Sequence, residues 1–180
     1  MKKLCIALGL MLAAAPAFAH DGNKGNHGSP PTATTVRWLD IVGVITAQGV
    51  FNPVSDNISS GNFAWSTSGG NARVDLATGA TSFDVEGLVI NGTPFSGTPG
   101  PITAVTGTLV CNPGDQAEMP IDTAVVPLSA RGDASFNGAI PAIPAVCANP
   151  LFLVRIAVPA GAAGRWIATG AVRRTGADTQ

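Results

Sequence analysis

The residues able to do chemistry in this chain are few and unevenly placed. Both histidines, His20 and His27, fall in one polar stretch near the N-terminus, and there is no tyrosine. A serine or cysteine nucleophile needs an imidazole held rigidly beside it. Zinc hydrolase sites need several His, Cys or Asp ligands on a rigid frame. Neither arrangement has a histidine in the part of the chain that can fold, so no catalytic residue is assigned and no cofactor is implied.

Carboxylates are the remaining candidates. Asp84 and Glu86 alternate with apolar residues and share one side of an extended segment, with Asp75 on the segment before it. A glycoside hydrolase uses such a pair, one as acid and the other as base or nucleophile. The simpler reading is a charged solvent face balanced by Arg73. Asp115, Glu118 and Asp122, with Asn112 nearby, offer oxygen ligands of the kind Ca²⁺ takes. Their spacing matches no EF-hand loop and is broken by Pro113 and Pro120, so a solvated acidic loop explains them as well.

His20 would be the first residue after export. A terminal histidine can hold copper through its amine and ring, as in the histidine brace of lytic polysaccharide monooxygenases, but the second histidine that the brace draws from the folded body is missing here. His27 could bind a metal only adventitiously with it. Trp38, Trp65 and Trp166 could build a sugar-stacking platform, although each sits in a strand pattern where burial is the default. Arg131-Gly132-Asp133 is the tripeptide of integrin recognition and also an ordinary glycine-containing turn.

Cys111 and Cys147 are expected to form a disulfide. Neither lies in a C-x-x-C, no histidine is near them in sequence, and thiols exported to an oxidising compartment usually pair. Closing this loop would stabilise the fold by about 4 kcal/mol on chain-entropy grounds, strain ignored.

Export is read from residues 1–19. Lys2 and Lys3 precede an apolar run, Leu4 to Ala15, too short to span a bilayer, and Ala17-Phe18-Ala19 is an A-x-A cleavage site. The pattern is bacterial. The chain is expected to start at His20 after cleavage and to reside in the periplasm or outside the cell, with no transmembrane segment. Losing Lys2 and Lys3 leaves eight cations against eleven anions, a net charge of −3. So sparse and mixed a charge cannot neutralise a phosphate backbone, which excludes nucleic acid as a partner class.

Gly, Pro, Thr, Val and Ala dominate, favouring strands and turns. Residues 20–35 read as a flexible polar tail, 36–173 as one β-domain and 174–180 as a disordered C-terminal tail. Val36 to Gln48 is β-branched and nearly continuously apolar, as is Leu151 to Val158. Ala72 to Ile90 alternates around Thr78-Gly79, and a two-residue turn there would pair Val74 with Phe83 and Arg73 with Asp84. A three-residue Arg131-Gly132-Asp133 connection would set Leu128 across from Phe136 in a second hairpin. Eight or nine short strands at regular spacing predict an all-β fold, a single antiparallel β-sandwich, Ig-like or jelly-roll-like, with one disulfide.

The second half resembles a group of short exported bacterial proteins known only as hypothetical. The likeness lies in Gly107-Thr108-Leu109-Val110-Cys111-Asn112, in Val126-Pro127-Leu128-Ser129 with Gly132-Asp133-Ala134-Ser135-Phe136, in Asn149-Pro150, and in Gly164 to Gly170. It implies no activity and no functional residue. The Val74 to Val89 hairpin resembles part of the CHRD domain but lacks the histidine-containing segment that follows there. The function expected is therefore a non-enzymatic binding or structural role toward an envelope, matrix or protein partner. A carboxylate-dependent glycan-active enzyme and a metal-binding protein are the alternatives.

Overall fold

The computed structural model describes residues 34–158 and 161–176. The expected signal segment, most of the N-terminal polar stretch and both histidines lie outside the described residues. Eleven strands are present among the described residues: β1 (Thr35–Gly43), β2 (Trp65–Ser66), β3 (Gly69–Asp75), β4 (Ala80–Glu86), β5 (Val89–Ile90), β6 (Ala104–Cys111), β7 (Met119–Asp122), β8 (Val126–Pro127), β9 (Ala134–Ala139), β10 (Leu151–Ala157) and β11 (Ala163–Thr175). Nine of them form an antiparallel sheet in the order β7-β6-β10-β11-β1-β3-β4-β9, with β8 also on β6, while β2 and β5 make a small second sheet. Among the described residues no helix is long and apolar enough to cross a membrane.

The large sheet curls until its inner face meets itself. Phe83 of β4 packs on Phe152 of β10 with ring centroids 5.5 Å apart, although β11, β1 and β3 lie between those strands in the sheet. Trp38 of β1 tilts onto Phe152 at 5.6 Å, and Phe136 of β9 stacks on Phe83 at 6.1 Å. Gly107 in β6 makes room for this cluster, since a Cβ there would come within 2.7 Å of the Phe152 ring and 2.8 Å of the Phe83 ring. Burying each such large apolar side chain contributes about 1.5–3 kcal/mol. This is the expected all-β, antiparallel fold, folded over into two facing layers.

β6 is buried on both faces although its sequence, AVTGTLVC, is not a continuous apolar run. Every residue from Val105 to Cys111 is buried, and the two threonines among them are satisfied. Thr106 Oγ1 donates to the Thr123 carbonyl at 2.9 Å, and Thr108 Oγ1 donates to Asp122 Oδ1 at 2.6 Å. The Cys111–Cys147 disulfide forms as expected, with Cα atoms 4.6 Å apart and Cys111 fully buried.

Several local expectations need correction. The β3–β4 hairpin exists, but Val74 pairs with Thr81 and Arg73 with Ser82, two residues away from the expected register. Asp75 causes the shift: its carboxylate accepts from the Ala77 amide at 2.9 Å and the Thr78 amide at 3.1 Å, building a longer turn that closes at Gly79, φ +75°. A slip of two keeps each side chain on its own face, so the apolar pattern could not reveal it. The second hairpin does not form, because β8 pairs with β6 whereas β9 pairs with β4. β11 also runs to Thr175, pairing with Val36, so Arg174 and Thr175 belong to the sheet and not to a tail.

Candidate functional site

Three surface clefts among the described residues bring polar or aromatic side chains together. The most enclosed is an apolar cleft of about 420 Å³ lined by Gln48, Asn62, Phe63, Trp65, Ile90, Thr93, Pro94, Phe95, Pro101, Ile102 and Ile156 together with Gly61 and Gly92. No ionisable residue is among these.

Its back wall is the small sheet, in which Trp65 of β2 pairs with Ile90 of β5. β2 lies against the end of β1 because position 43 is glycine: a Cβ there would overlap the Trp65 carbonyl oxygen. The Trp65 amide donates to the Val44 carbonyl at 2.9 Å, and the Asn91 amide to the Ala64 carbonyl at 2.8 Å, which fixes both strands to their surroundings. Ile156 of β10 brings the large sheet to the same cleft, and Ile102 joins it from just before β6.

The front wall is the turn-dense segment 91–101. Ile90 is tied to it at both backbone groups: its amide donates to the Thr98 carbonyl at 2.9 Å and its carbonyl accepts from the Gly97 amide at 3.0 Å. Thr93 Oγ1 accepts from the Phe95 amide at 3.0 Å, and Ser96 Oγ donates to the Thr93 carbonyl at 2.7 Å. Phe95 nevertheless stays 55% exposed. An aromatic ring held outward by a loop with several internal hydrogen bonds is a preformed wall, not a frayed one.

The expected carboxylate pair does meet a second cleft. Asp84 and Glu86 line it with Val85, Pro127, Ser129, Asp133, Ala134 and Ser135, enclosing about 430 Å³. Asp84 stands opposite Asn71 and accepts from its Nδ2 at 2.7 Å, not opposite Arg73 as the sequence suggested. Asp75 takes no part, being committed to its turn. Asp133 enters instead. The Gly87 amide, Ser129 and Arg131 hold its carboxyl below the usual carboxylate range, the Gly87 bond being the largest cause. A general acid requires the opposite shift.

The acidic loop places its groups on separate tasks. Glu118 Oε1 accepts from Ser55 Oγ at 2.7 Å and Oε2 from the Gly114 amide at 2.8 Å. Asp115 Oδ1 faces the Ala117 amide at 3.4 Å. Asp122 Oδ1 takes Thr108 and lies 3.8 Å from Arg155 Nη1, whose guanidinium also donates to the Gly164 and Ala163 carbonyls. Asn112 is not a spare oxygen ligand. Its Oδ1 accepts from the Ala148 amide at 2.8 Å and its Nδ2 donates to Ala117 and Val146, fastening the chain beside the disulfide. Among the described residues no group of three His, Cys, Asp or Glu is placed to hold a metal ion.

The three tryptophans separate. Trp38 is core, Trp166 donates its indole N–H to the Asn52 carbonyl at 3.2 Å, and only Trp65 reaches the apolar cleft. Phe95, Phe63 and Ile156 were not read from the sequence as site residues. The available signal was Phe95 itself, a large ring in a Gly-, Pro- and Thr-rich loop where no strand pattern could bury it. Comparison with protein-family models, curated proteins and solved structures gives no match to this chain.

Proposed function

We propose that this is an exported, non-enzymatic binding protein of the bacterial envelope or extracellular space, and that the Phe63–Trp65–Phe95 cleft is its recognition site. The observation that carries this reading is the cleft's composition: large apolar walls, a few neutral polar groups and no ionisable group. Such a site can hold a molecule, but it offers no proton donor, acceptor or nucleophile of the kind hydrolysis needs. Export is supported by the leader-like residues 1–19 and by the Cys111–Cys147 bridge, since disulfides persist in oxidising compartments.

The test is thermal unfolding of the disulfide-intact chain from His20 against divalent metals, bacterial glycans and neutral hydrophobic compounds, in the wild type and in Phe95→Ala. A ligand at a hundredfold excess over its dissociation constant raises stability by about 2.7 kcal/mol. Stabilisation that disappears in Phe95→Ala supports the reading. Glycan turnover lost in Asp84→Asn or Glu86→Gln, with folding intact, would overturn it in favour of an enzyme. A panel with no Phe95-dependent shift would remove the cleft as the recognition site.

A further inference from the structure

We infer that the Phe63–Trp65–Phe95 cleft takes an uncharged, predominantly hydrophobic ring compound. This rests on the reading of the cleft as a binding site and adds the chemistry of what it binds.

Charge decides the first half. An ion brought into the cleft would lose hydration without meeting an opposite charge, because the lining side chains carry only neutral polar groups, those of Gln48, Asn62 and Thr93 and the indole N–H of Trp65. Desolvating an unpaired ion costs several kcal/mol. A carboxylate, phosphate or ammonium ligand is therefore selected against.

Hydrogen-bonding capacity decides the second half. A sugar ring carries several hydroxyls, and each one buried without a partner costs about 1–3 kcal/mol. One of these neutral groups, Thr93, already accepts the Phe95 amide through its hydroxyl oxygen. The rest of the wall is Phe63, Trp65, Phe95, three isoleucines and two prolines, surfaces suited to stacking and dispersion. At about 420 Å³ the space falls within the range of small-molecule sites.

Shape fixes the ring. Phe95 is set by the 93–98 hydrogen bonds, and Gly100, at φ +60°, lies so close that a Cβ there would come within 3.4 Å of the Phe95 ring and 3.0 Å of Ile90 Cδ1. The wall is ordered before anything binds, so a rigid planar or alicyclic ligand loses little freedom on entering. A flexible chain would lose more.

The experiment uses two probes that differ in one group. N-phenyl-1-naphthylamine is neutral, and 1-anilinonaphthalene-8-sulfonate carries the same rings with a sulfonate. Each is titrated by fluorescence into the disulfide-intact chain, into Phe95→Ala with its melting point checked, and into the wild type holding an N-acetylglucosamine tetramer. The expected result is saturable binding of the neutral probe, weakened about tenfold in Phe95→Ala. The sulfonate should bind at least about tenfold more weakly, and the tetramer should displace nothing. Equal affinity for both probes, or neutral-probe affinity unchanged in a folded Phe95→Ala, would overturn the proposal. Displacement by the tetramer, with binding lost in Phe95→Ala, would refute this ligand class while leaving the cleft as the binding site.

Discussion

Oδ1 of Asp133 accepts a hydrogen bond from the Gly87 amide at 3.1 Å, tying the turn between β8 and β9 to the link between β4 and β5. The Leu88 amide adds a second tie, to the Gly132 carbonyl at 2.9 Å. Through this turn the chain leaves β6, where β8 is paired, and joins β4, where β9 is paired, so two distant parts of the curled sheet are drawn together. The aspartate of the Arg-Gly-Asp tripeptide is thus turned toward the 87–88 link. Arg131, its side chain 89% exposed, lies 3.5 Å from Asp133, a surface pair that contributes little.

Removing the Asp133 carboxylate should destabilise the protein in a pH-dependent way. Its folded pKa is lowered, so its contribution is fully present above the unfolded value of about 4 and is lost as pH falls through the folded value. Denaturant titration of wild type and Asp133→Ala should give a stability gap that is constant above about pH 5 and closes in stronger acid. Asp75, also shifted downward, is common to both proteins and cancels. A gap that widens on acidification would contradict the hydrogen-bonded carboxylate.

Gly132→Ala should be among the most damaging single substitutions. Its φ is +87°, and a Cβ would overlap the Leu88 backbone, which cannot move without disturbing β5. The strain and the overlap together predict a loss of roughly 2–4 kcal/mol. Chemical denaturation measures it, and a loss below about 0.5 kcal/mol would mean the turn does not dock on the 87–88 link.

Replacing both Cys111 and Cys147 by alanine should lower stability by about 2–4 kcal/mol. The Asn112 clamp onto Ala148 stays in place beside the missing bridge. Asn112→Ala in the oxidised protein should therefore cost less than the double alanine variant, and the reverse order would show the clamp to be the main fastening.

Val172→Gly should stabilise the fold. Val172 adopts φ +51° within β11 and is 62% exposed, so the valine bears left-handed strain without packing in return. The strain of about 1–2 kcal/mol exceeds the entropy penalty of glycine, roughly 0.5–1 kcal/mol. A gain of about 0.5 kcal/mol in the unfolding free energy is expected, and a loss would mean that Val172 does not hold this conformation.

The sequence was most informative where a residue's environment is set by its immediate neighbours. β10 was legible because Leu151 to Val158 is a nearly continuous apolar run that a strand packed into the sheet demands, and the cysteine pair because the third cysteine, Cys5, falls in the leader-like stretch. Register was not legible at β3–β4, where the Asp75 carboxylate lengthened the turn by a step that alternation does not register. The β8–β9 segment misled for a related reason. Its turn chemistry is that of a hairpin, yet Leu88, forty-odd residues earlier, holds the turn and sends its two arms to different partners. The carboxylate cleft was half visible, since Asp84 and Glu86 are local to one strand whereas Asp133 arrives through tertiary folding. The apolar cleft was hardest to foresee. It assembles Phe63, Ile90, Phe95 and Ile156 from four separate segments, and each alone reads as core or loop.

The most direct test of the account is an amide-resolved NMR titration of the ¹⁵N-labelled, disulfide-intact protein with N-phenyl-1-naphthylamine. Recognition through the apolar cleft predicts shifts concentrated at residues 61–65, 90–102 and 156, with 84–86 and 129–135 undisturbed. Shifts concentrated instead beside Asp84, Glu86 and Asp133 would contradict it and place recognition in the carboxylate cleft.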